Sequence, residues 1–372
     1  MKAIYLDYQA TTPLAPEAFD AMVPWLRDHF ANPHSAHAPG RAAAAAIEVA
    51  RGDIGGALGM DGGRLVFTSG ATEALNIAIR GAAASGLTQG RRRIVTIATE
   101  HAAVRDTVEA LATLGHDVIL LLVDSQGLVD LDAARTAITS DTALVAAMAV
   151  NNEIGVLQPV DDLAGLARQV GALFLCDAVQ GFGRVAMPSG ADMIAISAHK
   201  VHGPKGIGAL WMRDGLDVPP LLHGGGQEGG VRSGTLSPAL CVGFGAAARL
   251  LVSLRESDAA HVEALWEQAT ALFAPWALNG HKTQRYHGNL NLRREGLDGA
   301  RLLSECRNVA FSLGSACASG SGRPSHVLRA LGLTDSQARG SVRIGFGRYT
   351  TPDELEEAAR AINEAAHRQG VS

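Results

Sequence analysis

Seven apolar runs, each about the length of a strand, constrain this chain more than any other feature. They cover Arg64 to Thr68, Ile94 to Ala98, Asp117 to Val123, Thr142 to Val150, Ala172 to Cys176, Asp192 to Ile196 and Ile207 to Met212. The runs are near-continuous rather than alternating, which is how a strand reads when both of its faces are covered. Stretches with helical spacing separate several of them: Thr72 to Ala84, Ala102 to Leu114 and Asp161 to Val170. That alternation predicts an α/β fold, a doubly wound and mostly parallel seven-stranded sheet flanked by helices. Beyond Ser237 the pattern changes to a long helical region, Pro238 to Phe273, then short strand-like pieces and further helices. The last helix has a clear start, with Thr351 as N-cap, Pro352 at the first position and Glu354 completing a capping box. The expected organisation is a large domain over 13–250 and a smaller α+β domain built from 1–12 and 251–372.

The chemistry centres on one turn, Ser197-Ala198-His199-Lys200-Val201-His202-Gly203-Pro204-Lys205-Gly206. Lysine is scarce, occurring only at positions 2, 200, 205 and 282, yet two of these sit here, just after a buried-strand pattern. An amine can lose its proton and form a Schiff base with an aldehyde, which a guanidinium cannot. Lys200 therefore points to pyridoxal 5'-phosphate, although a solvated Gly/Pro turn would also carry lysines. Lys205 reads as an ordinary turn residue.

Other strand ends fit the same cofactor. Ser69-Gly70-Ala71-Thr72-Glu73 follows a strand and opens a helix, where free N–H groups and the helix dipole make a phosphate cradle. Asp177 ends another strand, as a carboxylate facing a pyridine nitrogen would. His101, after Glu100, could lie over a ring or move protons. Asn152, within Asn151-Asn152-Glu153-Ile154-Gly155, sits where ligands bind in such sheets. Arg343 is a candidate clamp for a substrate carboxylate. His223 to Thr235 is glycine-rich enough to approach a ligand or a second subunit closely. Each of these residues also has an ordinary structural use as cap, turn or surface charge.

The net charge of −5 gives no footing for direct nucleic-acid binding. No apolar run approaches the roughly 18 residues that a membrane span needs. The first eight residues lack a signal-peptide core, so a cytoplasmic location is expected. Cys176, Cys241 and Cys306 fall in apolar strand or helix patterns and read as inert core thiols. No cysteine spacing suggests a resident metal. Cys317 differs, because it opens Cys317-Ala318-Ser319-Gly320-Ser321-Gly322, whose side chains are too small to pack.

Taken in order, these motifs resemble the cysteine desulfurases of the NifS/IscS type, within the class V aminotransferase group (fold type I of pyridoxal-phosphate enzymes). The resemblance also runs through Tyr5-Leu6-Asp7-Tyr8-Gln9-Ala10-Thr11-Thr12-Pro13, Asn32-Pro33-His34-Ser35-Ala36-His37, Arg232-Ser233-Gly234-Thr235, Gly314-Ser315-Ala316-Cys317 and Pro324 to Gly332. It implies that Lys200 carries the cofactor Schiff base and that Asp177 pairs with the pyridine nitrogen. Gln180 and Asn152 would bond the phenolic oxygen region, and His101 would stack on the ring. Ala71, Thr72, Ser197 and His199 would hold the phosphate, with Thr235 reaching in from the partner of a homodimer. Arg343 would bind the carboxylate of L-cysteine. Cys317 would accept the sulfur as a persulfide and pass it to an acceptor protein, an iron–sulfur scaffold or a thiolation factor. It could transiently ligate an iron–sulfur cluster. The segment after it would be mobile so that this cargo can travel.

The spacing from Cys317 to Pro324 is similar to the longer-loop, IscS-like branch. Three departures stand out. Ala74-Leu75-Asn76 replaces a Ser-Asn-Asn-like stretch, Gly345-Phe346-Gly347 stands where a serine is commoner before the Gly-Arg pair, and the chain stops at Ser372, soon after its last helix. The short end leans towards a specialised sulfur donor. A selenocysteine lyase, an aminotransferase on the same scaffold and a non-catalytic assembly partner remain as alternatives.

Overall fold

The computed structural model describes residues 3–314 and 324–371. Its central sheet has seven strands, in the order Arg64–Thr68, Gly208–Met212, Met193–Ser197, Leu173–Asp177, Thr142–Met148, Arg93–Ile97 and Asp117–Leu121. All run parallel except Gly208–Met212, which is antiparallel to both neighbours. The near-continuous apolar runs have the expected cause. Ile194 and Ile196 pack on one face of the sheet with Phe67, Phe174 and Cys176, whereas Met193 and Ala195 pack on the other with Val66 and Leu175. Helices Ala38–Leu58, Val160–Gln169 and Pro238–Ser253 cover the first face. Helices Ala71–Thr88 and Ala102–Ala112 cover the second.

A separate apolar cluster is built on a four-stranded sheet, ordered Ser312–Leu313, Ser341–Gly345, Asn289–Arg293 and Ala277–Leu278. Helices Arg255–Leu272, Gly299–Glu305 and Pro352–Arg368 pack on it, together with Ile4 and Leu6 from the chain start. The capping box at Thr351 forms as expected, with Glu354 N–H donating to the Thr351 hydroxyl at 3.2 Å and Thr351 N–H to the Glu354 carboxylate at 3.0 Å.

The single helical region expected over Pro238 to Phe273 is two helices, Pro238–Ser253 and Arg255–Leu272, bent by 74°. Leu254 leaves helical geometry between them, at φ −108° and ψ 7°. The first helix serves the large sheet and the second serves the other cluster, so one straight rod could not bury both apolar faces. Among the described residues, no single helix is long and apolar enough to cross a membrane.

Candidate active site

The carboxyl ends of the central strands converge on a cavity of about 600 Å³. Ala71, Thr72, His101, Asn152, Asp177, Gln180, Ser197, His199, Lys200 and Arg343 all line it. Thr235 does not, and it lies exposed. Cys317 lies outside the described residues.

Lys200 closes a single 3-10 turn at the end of Met193–Ser197. Its Nζ donates to the backbone carbonyls of Gln9, at 2.6 Å, and Ala10, at 2.7 Å. The N-terminal segment is tied to the same turn, because Thr12 donates through its N–H (2.9 Å) and its hydroxyl (3.0 Å) to the His199 carbonyl. Burial, then the charges of Lys200 and Lys205, pull His199 down to about 4. Its imidazole is therefore neutral at physiological pH and can donate a hydrogen bond.

Asp177 ends Leu173–Asp177 and is buried, with the Val179 N–H on its Oδ1 at 3.0 Å. Burial pushes its carboxyl pKa up. His101 is the N-cap of Ala102–Ala112, and its Nδ1 accepts the Ala103 N–H at 3.1 Å. This fixes the tautomer of the neutral ring with the proton on Nε2. Gln180 donates to the Gln9 carbonyl at 2.9 Å and accepts from Arg184 at 2.8 Å.

At the opposite wall, helix Ala71–Thr88 begins at Gly70 with no side-chain cap, so its first N–H groups are open to an anion. Gly208 allows that turn to lie against its strand, since a Cβ there would sit 2.7 Å from the Gly70 carbonyl carbon and 2.6 Å from the Ile196 oxygen. Arg232 pairs with Glu73 at 2.8 Å, and Glu228 with Arg51 at 2.8 Å. The glycine-rich segment is thus pinned at two points, to Glu73 in the first turn of the cradle helix and to Arg51 on helix Ala38–Leu58.

Arg343 reaches the cavity wall from the second sheet and is 1 % exposed. Its Nη2 pairs with Asp7 at 2.8 Å and its Nη1 donates to the Asn152 carbonyl at 2.9 Å. Sequence reasoning missed this partner, which lies 336 positions away. It also missed that Gln9, Ala10 and Thr11 line the cavity, and that Lys205, read as a plain turn residue, lines it too. The fold placing of Cys176, Cys241 and Cys306 agrees with their inert reading: all are buried, and burial pushes the Cys241 thiol up to about 12.

Pyridoxal phosphate fits these residues. The uncapped helix start suits its phosphate and the buried Asp177 lacks a cationic partner within salt-bridge distance among the described residues. Asn152 Oδ1 is buried without a hydrogen-bond partner there. The Lys200 amine reaches into the same space.

The sequence model of the family described as Aminotransferase class-V matches residues 4–357. The chain belongs to the class-V aminotransferase family. Among its relatives, the cysteine desulfurase IscS of Rickettsia bellii (strain OSU 85-389) is 43% identical over 369 residues, spanning 96% of this chain and 90% of that protein. The cysteine desulfurase IscS of Rickettsia africae (strain ESF-5) is 42% identical over the same shares. A solved NifS-like protein superposes with a TM-score of 0.91 at 31% identity, covering 97% of this chain and 98% of that one. SspA in complex with cysteine superposes with a TM-score of 0.84 at 35% identity, covering 93% and 99%. Like its class-V relatives, the chain is a pyridoxal-phosphate-dependent enzyme, with cysteine desulfurase activity.

Proposed function

We propose that this enzyme converts L-cysteine to L-alanine, carries the sulfur as a persulfide on Cys317, and delivers it to an acceptor protein. The observation behind this reading is the meeting of Lys200, Asp177, His101 and Arg343 in one cavity at the strand ends. Bound pyridoxal phosphate supplies an electron sink for charge at the substrate Cα.

The side chains divide the rest of the work. Lys200 would hold the cofactor covalently, and its Nζ, once released, would move the substrate Cα proton. The Asp177 carboxylate keeps the ring nitrogen protonated, since a cation there offsets the cost of burying it. Ala71 and Thr72, with Ser197 and His199, would hold the phosphate. His101 would stack on the ring, and Gln180 and Asn152 would hydrogen-bond the phenolic oxygen region. Arg343 receives the substrate carboxylate, in competition with Asp7. The Cys317 thiolate attacks the substrate sulfur, so that an S–S bond forms and the Cβ–S bond breaks. The electron pair stays with the substrate carbon, which takes up a proton and leaves as alanine. Sulfur is oxidised as carbon is reduced, so no outside oxidant enters.

A homodimer completes this picture, with Thr235 reaching the partner's phosphate. Exposed apolar side chains at Phe19, Leu26 and Phe30, the last 90% exposed, suit a subunit contact. The acceptor is an iron–sulfur scaffold or thiolation factor, and the free, buried cysteines fit a reducing cytoplasm. The separate apolar clusters favour a division into 13–250 and 1–12 with 251–372. Cys317→Ser tests the reading: sulfide release from cysteine should vanish while the visible cofactor band survives. Persistent sulfide release would overturn the persulfide route.

A further inference from the structure

Lys200 lines a second cavity as well, of about 420 Å³, and among the described residues it is the only one shared by the two walls. This cavity lies between the segment after Gln180 and the start of helix Arg255–Leu272. Four arginines line it, Arg184, Arg255, Arg285 and Arg348, against two acids, Asp258 and Glu263.

Both acids are engaged. Arg348 grips Asp258 through Nε, at 3.0 Å, and Nη2, at 2.6 Å. Glu263 meets His287 Nδ1 at 2.6 Å. Arg184 and Arg285 have no acidic partner among the described residues. Arg285, only 5% exposed, donates to the backbone carbonyls of Asn279, His281, Ile154 and Asn289 and to nothing charged. Burial pulls it down to about 9, with no acid opposing the shift, and it is still cationic at neutral pH. Arg184 donates from Nη1 to the Gln180 carbonyl (3.1 Å) and side chain (2.8 Å), and from Nη2 to the Lys200 carbonyl at 2.5 Å. Its Nε–H has no partner among the described residues. Arg285 is buried and Arg184 half-buried, both bond only neutral oxygens, and the Arg285 Nε–H too has no partner among the described residues; guanidinium groups held this way without a counter-charge are costly to bury. An anion entering the cavity would supply that charge through charge-assisted hydrogen bonds.

We propose that this second cavity binds a small oxyanion, a carboxylate or phosphate group, and that Arg184 communicates its occupancy to Gln180 and Lys200. The link is short. Arg184 holds the Gln180 side chain and the Lys200 carbonyl, and those two residues line the cofactor cavity. An anion that draws Arg184 towards itself loosens both contacts, and by linkage the state of the cofactor cavity alters the anion's affinity.

The cavity has a built-in reporter. The Trp266 ring stacks on His287 at 4.5 Å, and the Arg285 guanidinium lies over it at 4.9 Å. The test titrates the holoenzyme, in which the cofactor phosphate already fills its own cradle, with inorganic phosphate in one arm and malonate in the other. Chloride at matched ionic strength is the control. Binding is read by calorimetry and by tryptophan fluorescence, and communication by the visible cofactor band. The expected result is saturable binding of at least one anion with a shift of that band. Arg184→Gln should weaken binding at least about tenfold, and exposed Arg255→Gln by less. Saturation by phosphate alone, or by malonate alone, supports the proposal and names the source. A response equal to that of chloride, or binding unchanged in a folded Arg184→Gln enzyme, overturns it. A saturable change that leaves the cofactor band still overturns the communication. None of these readouts depends on sulfur transfer, so they fail or succeed separately from the desulfurase mechanism.

Discussion

Glu153, the residue after the cavity-lining Asn152, offers a quantitative test of how burial tunes a carboxyl group beside the site. It is 4% exposed and accepts a hydrogen bond from the Ser325 hydroxyl, just beyond the Cys317 segment in sequence. Burial pushes its carboxyl up to about 7 from 4.5, and the Ser325 bond and the charges of Arg343 and His101 only partly oppose this. The unfolded chain gives up that proton near 4.5, whereas the folded chain keeps it to about 7. Across this window the folded state binds more protons, so stability falls as pH rises and levels off above it. At about 1.36 kcal/mol per pH unit, the whole window is worth about 3 kcal/mol. Glu153→Gln still accepts the Ser325 bond but cannot titrate. Its stability relative to the parent should therefore grow by about 3 kcal/mol between acid and mildly alkaline pH. With about 2.1 cal/mol/K of unfolding entropy per residue, over 372 residues, that is roughly a 4 °C gain in Tm. Thermal unfolding of both holoenzymes, followed by circular dichroism at several pH values, measures it. Parallel Tm–pH curves for the two proteins would refute the reasoning, because they would mean that Glu153 is already ionised in the folded state.

Two further outcomes follow from the packing around Arg343. A Cβ at Gly345 would lie 1.7 Å from Gln9 Oε1, and the Gln9 amide is held by the Gly288 carbonyl at 2.8 Å. Gly345→Ala should cost about 1–3 kcal/mol by overpacking, and Gln9→Ala in the same chain should recover most of it. Equal costs of Gly345→Ala with and without Gln9, measured by denaturant unfolding, would show the two sites to be independent. Arg343→Lys keeps a charge but loses the fork that grips a carboxylate. The KM for cysteine should rise about tenfold or more with the cofactor band unchanged, and an unaltered KM in steady-state assays would remove Arg343 from substrate binding.

Much of the site was legible because it sits at strand ends, where local pattern and chemistry coincide. Lys200 follows Met193–Ser197, Asp177 ends Leu173–Asp177, and Thr72 opens a helix after Arg64–Thr68. Periodicity shows a strand and its end, and the residue type there suggests the chemistry. It does not show which way a strand runs, so the antiparallel Gly208–Met212 was invisible. Nor does it show pairings set by the fold as a whole. Asp7 and Arg343 meet across nearly the full chain, and Gln9 reaches Lys200 across 191 positions. The bend at Leu254 was hidden because apolar spacing continues through it, and the competing demands of two separate cores produce it. Glu153 looked like part of a turn. It is buried, and its hydrogen-bond partner Ser325 is 172 positions away.

The central claim is that Cys317 carries the sulfur. The most direct measurement is an anaerobic single turnover of the holoenzyme with L-cysteine and no acceptor, quenched with a thiol-blocking reagent and read by peptide mass spectrometry. The account predicts a gain of one sulfur atom on the Cys317 peptide, none on the peptides of Cys176, Cys241 or Cys306, and one alanine released per chain. Alanine formed with an unmodified Cys317 would contradict it.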